Sequence, residues 1–194
     1  MVTSGYVNEE VLHLLLRALM PENAFALLLM ECTGMRITDC LSLTRSQMVE
    51  AKPLKTGKHL GLTYTEQKTG KERTVTIPAD LWKTLLDRPR KSDWLFPGRD
   101  PEKHRTRQAV FKDLQRACKL FRIDGRRINA HVSPHSARKL YAVRLYHELC
   151  ENGLADALEV VRMDLNHKDR AVTLLYAMAD ELTNRKGQII ELTN

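Results

Sequence analysis

LGLTYTEQKTGKERTVTIP, residues 60–78, decides what kind of fold this chain can adopt. From Leu60 to Glu66 the residues favour strand. From Arg73 to Ile77, RTVTI alternates polar and apolar side chains, the period of a half-buried strand. Between them lies QKTGK, where Gly70 suits a turn. Pro78 ends the second strand, because proline has no N–H to give a ladder. The stretch predicts an antiparallel hairpin with strands at 60–66 and 73–77.

Working outward, the flanks read as helix. Residues 9–20 place apolar side chains at 11, 12, 15, 16 and 19, a helical stripe that Pro21 ends. Residues 22–33 are apolar nearly all round, as a central helix is, and Thr33-Gly34 closes it. A third helix starts at about Thr38, with Leu41, Leu43 and Met48 as apolar contacts. After the hairpin come a short helix at 79–87 and a proline-containing loop, RPRKSDWLFPGRDPEK, with a short strand at Trp94–Phe96. Helices then cover 105–121, 135–150, 154–164 and 169–178. A last amphipathic piece, 180–192, carries Leu182, Ile189 and Ile190. The expected class is mainly α with a small antiparallel β-sheet or hairpin.

Composition narrows the function. The 194 residues suit one domain, and 43% hydrophobic with 28% charged residues is ordinary globular content. The longest apolar run, AFALLLM at 24–30, falls short of the roughly 20 residues of a membrane span. Glu9 and Glu10 interrupt any signal-peptide layout, so the expected setting is cytoplasmic. Cys32, Cys40, Cys118 and Cys150 form no CxxC pair and read as reduced core thiols. His131 and His135 are four apart, but Ser133-Pro134 between them disfavours one helix presenting both to a zinc ion. Lysine plus arginine is 31 against 24 acids, a net charge of +7. Such a balance fits a polyanionic partner, DNA or RNA first, or simply a basic soluble surface.

The chemistry turns on LNHKDRAVTLLYA, residues 165–177, with His167 nine residues before Tyr176. A tyrosine hydroxyl titrates near pH 10 and is a poor nucleophile at neutral pH. To attack a phosphodiester it needs arginine forks for the non-bridging oxygens, a histidine or lysine to move protons, and a donor for the leaving oxygen. The chain offers such groups in order. Arg36 lies in TGMRITDCLSL, Lys68 at the hairpin turn, His135 and Arg138 in SPHSARKLY, then His167 and Tyr176. His135, just after Pro134, opens a helix, so it and Arg138 at i and i+3 can point the same way.

Each residue also has an ordinary reading. Arg36 beside Gly34 can cap the preceding helix. Lys68 can be a solvated turn lysine, with Lys71 its close competitor. His135 and His167 can make structural hydrogen bonds, Arg138 can be a surface charge, Asp39 a helix N-terminal residue, and Tyr176 a core-edge aromatic. The basic stretches 52–58 and 99–107 read as solvated faces, some of whose residues are expected to touch phosphates.

Taken together, the motifs resemble the catalytic domain of the tyrosine recombinases, the phage-integrase family of site-specific DNA recombinases. TGMRITDCLSL resembles the first arginine motif, with Asp39 three positions on. KTGKER followed by VTIP resembles the lysine hairpin. HSAR resembles the HxxR box, and LNH with a tyrosine nine residues after the histidine resembles the nucleophile motif. The matches cover roughly residues 10–180 in family order. Ala137 stands where the family often has leucine, and Asn166 where it often has glycine; neither removes a catalytic atom.

The resemblance implies the fold of the DNA breaking–rejoining enzymes and a role for each residue. Tyr176 would attack the scissile phosphate, leaving a 3′-phosphotyrosyl link and a free 5′-hydroxyl. Arg36 and Arg138 would hold the non-bridging oxygens. Lys68 would protonate the leaving oxygen, in preference to Lys71. His135 would assist proton transfer, His167 would donate to the phosphate, and Asp39 would orient a neighbouring arginine or histidine. No metal, ATP or other cofactor is implied, because the covalent link preserves the phosphodiester's energy. The implied partners are double-stranded DNA and further copies of the chain, a tetramer on DNA and a monomer when free, with no membrane. The implied origin is prokaryotic, phage or mobile element. Residues 1–180 form the expected catalytic domain, and 181–194 a tail that packs on its own domain or on a neighbouring protomer. The resemblance would place a core-binding domain before it, and its expected absence from this sequence would make the chain a fragment. Two other classes stand beside this one: a non-catalytic DNA-binding module, and a metal-dependent nuclease, for which no cluster with ligand spacing is found.

Overall fold

The computed structural model describes residues 5–89, 92–123, 126–128 and 131–184. The elements run α1 (Glu9–Leu16), α2 (Pro21–Thr33), α3 (Ile37–Leu41), α4 (Arg45–Val49), β1 (Lys52–Pro53), β2 (His59–Thr65), β3 (Glu72–Pro78), α5 (Ala79–Asp87) and α6 (Arg107–Leu120). There follow β4 (Arg122–Ile123), β5 (Arg126–Arg127), α7 (Pro134–Glu151), α8 (Ala157–Asp164), α9 (Arg170–Ala177) and α10 (Ala179–Asn184). The mainly helical class with a small antiparallel sheet is what the sequence led us to expect.

The hairpin pairs Leu62 with Val75 and Tyr64 with Arg73. Alternation puts Leu60, Leu62 and Tyr64 on the buried face of β2, opposite Arg73, Val75 and Ile77 of β3. Pro21 opens α2, and Gly34 closes it in the left-handed conformation at φ 63°. Leu27, Leu29 and Met30 of α2 are fully buried, and α2 packs against α7. Ser133 caps α7 by accepting from the His135 N–H, and Ser136 Oγ accepts from the Ser133 N–H in return.

Two hydrophobic clusters result. The larger gathers α1, α2, the hairpin, α6 and the first half of α7. The smaller joins Ala142, Val161, Leu165 and Ala177, with Tyr141, Leu145 and Tyr176 packed on it.

Several expectations need correction. The helix from Thr38 is two short ones, because Thr44 and Gln47 form a capping box that restarts the chain as α4. KPLKTGK is not all loop: Lys52 and Pro53 pair with Gly61 and Leu60 as a third, exposed edge strand. Trp94–Phe96 makes only an isolated bridge, Trp94 to Thr44. Helix 154–164 begins at Ala157, after Gly153 turns the chain at φ 75°. Cys150 is exposed rather than in the core, whereas Cys40 and Cys118 are buried. Leu182 lies partly buried on α10, while Ile189 and Ile190 fall outside the described residues. No helix among the described residues is long and apolar enough to cross a membrane.

Candidate active site

The end of α2 is the hub. The Gly34 carbonyl accepts from Arg138 Nη1 and, at 3.2 Å, from Arg73 Nη1. A Cβ at Gly34 would overlap the Tyr141 ring, so glycine alone lets α7 come this close. Arg138 Nη2 donates to the Leu165 carbonyl at 2.6 Å, joining α7 to the end of α8. Arg138 is only 2% exposed. Burial, then the charges of Arg36 and Arg73, push its pKa down to about 10, so it remains a cation at neutral pH. Arg73 Nη2 donates to the Thr33 carbonyl and to Asp164 Oδ2, both at 3.0 Å, and the Tyr141 hydroxyl donates to the same Asp164 oxygen.

Arg36 stands as N-cap of α3, where its ψ of 148° breaks the chain away from α2. Its Nη1 donates to Glu66 Oε1 at 2.5 Å and lies 4.0 Å from Asp39 Oδ2. Asp39 Oδ1 accepts from the Gln67 N–H at 2.9 Å, while Oδ2 is buried with no hydrogen bond. Burial raises the Asp39 pKa, partly offset by the Gln67 N–H and then by Arg36.

His167 and Tyr176 meet edge to face, their ring centroids 5.0 Å apart. His167 Nδ1 lies 3.2 Å from Thr173 Oγ1. Burial and then Arg138, Arg36 and Arg73 drive the His167 pKa down to about 4. His135 is also lowered, first by desolvation and then by Arg138, Lys139, Arg36 and Arg107. Both imidazoles are therefore neutral at neutral pH and able to accept a proton. Burial raises the Tyr176 pKa, while Arg138 and Arg36 pull it back. Two guanidinium groups distant in sequence thus act on one phenol. The Lys139 ammonium lies 5.3 Å from the centre of the Tyr176 ring.

Lys68 occupies the exposed turn between β2 and β3, as does Lys71, and the Lys68 ammonium makes no ion pair or hydrogen bond among the described residues. Arg36, Asp39, His135, Arg138, His167 and Tyr176 thus form one group of interacting side chains. Lys68 stays outside that group, on the exposed turn that the Glu66 main chain closes.

Sequence reasoning missed Arg73, Glu66, Lys139 and Asn166. For the first two a signal existed. Strict alternation in RTVTI puts Arg73 on the same inward face as Val75 and Ile77, and alternation along LGLTYTE carries Glu66 inward after Leu62 and Tyr64. A charge on a strand's buried face needs a partner, so both positions were legible as bonded charges.

Two other features stand apart. A cavity lined by Pro21, Phe25, Arg45, Arg88 and Trp94 lies at the opposite end of α2 from Gly34 and includes none of the site residues above. Glu9, His13 and Glu31 do come together as potential metal ligands. Arg144 reaches Glu31 at 3.1 Å and Glu9 at 3.6 Å, so a guanidinium already balances those carboxylates.

Known proteins share this arrangement of elements. Residues 6–182 match the model described as the phage integrase family. The chain is 31% identical over 158 residues to the tyrosine recombinase XerD of Haemophilus ducreyi, covering 76% of this chain and 47% of that protein. It is 32% identical over 112 residues to the integrase of Escherichia phage P2, covering 57% of the chain and 30% of that integrase. It therefore spans less than half the length of these relatives. Among solved structures, the XerH site-specific recombinase bound to its palindromic difH substrate aligns with a TM-score of 0.66 at 19% identity. That alignment covers 95% of this chain and 52% of XerH. The catalytic domain of bacteriophage HP1 integrase aligns with a TM-score of 0.57 at 22% identity, covering 98% of this chain and 99% of that domain.

Proposed function

This chain belongs to the phage integrase family, and from that premise we propose that it is the catalytic domain of a site-specific DNA recombinase. The observation that carries this reading is the meeting of the His167 and Tyr176 rings, 5.0 Å apart, beside Arg138, which holds the Leu165 carbonyl two residues before His167 and with Arg36 acts on the phenol.

In the proposed reaction a DNA phosphate meets this group of side chains and its non-bridging oxygens take hydrogen bonds from Arg36 and Arg138. A guanidinium's planar fork of donors suits an anion whose charge grows in the transition state. The Tyr176 hydroxyl attacks phosphorus. Its proton passes to a neutral imidazole, His135 by its place at the start of α7, while His167 donates to the phosphate. Lys68, carried by the hairpin turn, gives a proton to the leaving 5′-oxygen. A 3′-phosphotyrosyl bond forms as the phosphorus–5′-oxygen bond breaks, and the reverse attack by a 5′-hydroxyl restores the strand. Neither metal nor ATP enters the balance. The arriving phosphate also offsets the cationic field that lowers both histidine pKa values, so it raises their proton affinity when a proton must be taken.

Double-stranded DNA and further copies of the chain are the proposed partners, with four protomers assembled on DNA and residues 185–194 reaching a neighbour. The similar XerH structure is bound to its difH substrate, and that of the Tn1549 transposon integrase is in complex with circular intermediate DNA. A non-catalytic DNA-binding module is the competing reading, and one substitution separates the two. Tyr176→Phe is expected to abolish covalent capture of a suicide DNA substrate while leaving DNA affinity nearly unchanged. An adduct that survives this change removes Tyr176 as nucleophile, and no adduct from the wild-type protein fused to a DNA-clamping domain favours the binding module.

A further inference from the structure

Three stretches far apart in sequence carry Arg36, Lys68 and His167, and one carboxylate reaches all of them. Glu66 is 0% exposed. Its Oε1 accepts from Arg36 Nη1 at 2.5 Å. Its Oε2 accepts from Thr69 Oγ1 at 2.7 Å and from Asn166 Nδ2 at 2.8 Å. Thr69 follows Lys68 in the turn, and Asn166 precedes His167 at the corner between α8 and α9. The main chain of Glu66 closes the same turn: its N–H donates to the Lys71 carbonyl at 2.9 Å, and its carbonyl accepts from the Gly70 N–H at 2.8 Å.

A buried carboxylate is costly unless its oxygens are occupied. Burial alone would raise the Glu66 pKa. The Thr69 hydroxyl, the Arg36 charge and the Asn166 amide outweigh that and hold it below the usual range, so Glu66 is an anion at neutral pH. Asn166 has φ 53°, a conformation that glycine and asparagine enter most readily. Glycine would supply the backbone without the amide; asparagine supplies both. Asp39 holds the turn from its other side through Gln67, but its Oδ2 makes no hydrogen bond to Arg36. Glu66 does.

We propose that Glu66 is a positioning residue of the strand-transfer reaction: its carboxylate fixes Arg36 through Nη1 and fastens the Lys68 turn to the Asn166–His167 corner, so that all three groups meet one phosphate together. This rests on the recombinase reading above. A guanidinium has five N–H donors in a rigid plane. Holding Nη1 orients that plane and leaves its remaining donors for the non-bridging oxygens. The same bonds limit how far the turn, and Lys68 with it, can swing from His167.

The test uses Glu66→Ala, Glu66→Gln and the exchange Glu66→Gln with Asn166→Asp. In the single glutamine variant, Oε1 still accepts from Arg36, but the new amide faces the Asn166 amide, donor against donor. Asn166 can turn its amide over to relieve this, so the variant falls between wild type and alanine. In the exchange, the amide now at position 66 donates to the carboxylate now at position 166, and the Thr69 hydroxyl, which donates to Oε2 in the wild type, turns to accept from that amide, so the tie to position 166 is kept while the charge moves across it. Three quantities are read: single-turnover adduct formation on a nicked suicide duplex, equilibrium affinity for that duplex, and amide exchange of residues 66–71.

Glu66→Ala is expected to slow adduct formation roughly 100-fold, as misplacement of reacting groups does. Affinity should stay within about threefold, the split expected when an interaction serves the transition state alone. Exchange at 66–71 should become faster, and the paired substitution should regain most of the rate lost by alanine. Wild-type rates in Glu66→Ala overturn the proposal, as does a slow rate with unaltered exchange at 66–71, or a paired variant no better than alanine. All three variants are assayed in the chain fused to a DNA-clamping domain, and if the wild-type fusion forms no adduct, the recombinase reading is what fails. The exchange measurement still judges the tie: unaltered exchange at 66–71 in Glu66→Ala overturns it, and faster exchange there supports it.

Discussion

At the scale of single residues, the site is governed by what burial does to charge. His167 has its pKa pushed down to about 4 by desolvation and three guanidiniums. In the unfolded chain it regains the ordinary value of about 6.5. Between those values the unfolded chain binds more protons than the folded one, so stability rises with pH through the window and is lost as pH falls from about 6.5 toward about 4. His135 contributes in the same sense. His167→Gln is therefore expected to flatten the acid side of the stability profile. Its urea midpoint should fall less between pH 7 and pH 5 than that of the wild type. An equal fall in both proteins would mean that neither burial nor the guanidiniums shift this imidazole. In the proposed reaction the same field would keep His135 unprotonated until an anion arrives, which is when a proton acceptor is useful, while a neutral His167 still has one N–H to donate.

At the scale of elements, much of the site lies at helix and strand ends: Arg36 before α3, His135 and Arg138 in the first turns of α7, Tyr176 near the end of α9 and Glu66 just past β2. Those ends were legible because local chemistry sets them. Pro134 with the Ser133 cap starts α7, Gly34 stops α2, and alternation defines β2 and β3. What was not legible depends on partners remote in sequence. The two-residue strand at Lys52 exists only through its pairing with Gly61 and Leu60. The break between α3 and α4 is fixed in part by the Leu95 N–H donating to the Leu43 carbonyl. Lys68 was recognisable by its motif, yet its exposed turn gives no local reason to prefer it to Lys71. The tail illustrates the same divide. The His147 imidazole meets Asp180 at 2.9 Å and Ala179 is buried, so α10 belongs to its own domain. A deletion meant to test contact with a neighbouring protomer should spare α10 and remove only 185–194. The proposed assembly predicts that this truncation leaves the melting temperature unchanged and weakens multimer formation on DNA in sedimentation measurements. Unchanged multimers would confine the tail to a role within its own chain.

At the scale of the molecule, the division of the core matters most. Arg36, Glu66 and Arg138 are set in or beside the large cluster, where α2 and α7 pack. Tyr176 stands on the small one, in which Ala142, Val161, Leu165 and Ala177 are the buried members. Ala142 lies on α7, so α8 and α9 with the corner between them supply only Val161, Leu165 and Ala177 as buried members, against more than two dozen in the large cluster, and gain less from burial. Polar bonds add to that packing: Arg138 on the Leu165 carbonyl, Arg73 on Asp164, and Asn166 on Glu66. Regions with few buried apolar contacts open at lower free energy than the global core. The unit that carries the phenol is therefore expected to open before the one that holds the arginines. Native-state hydrogen exchange should find the amides of α8 and α9 at least about tenfold less protected than those of α2, a gap of roughly 1.4 kcal/mol. DNA containing the cleavage site should close most of that gap, since a phosphate held by Arg36 and Arg138 gives Tyr176 and His167 a common partner. Equal protection across α2, α8 and α9 without DNA would mean that the two clusters open as one cooperative unit, and the nucleophile would then have no independent freedom to move.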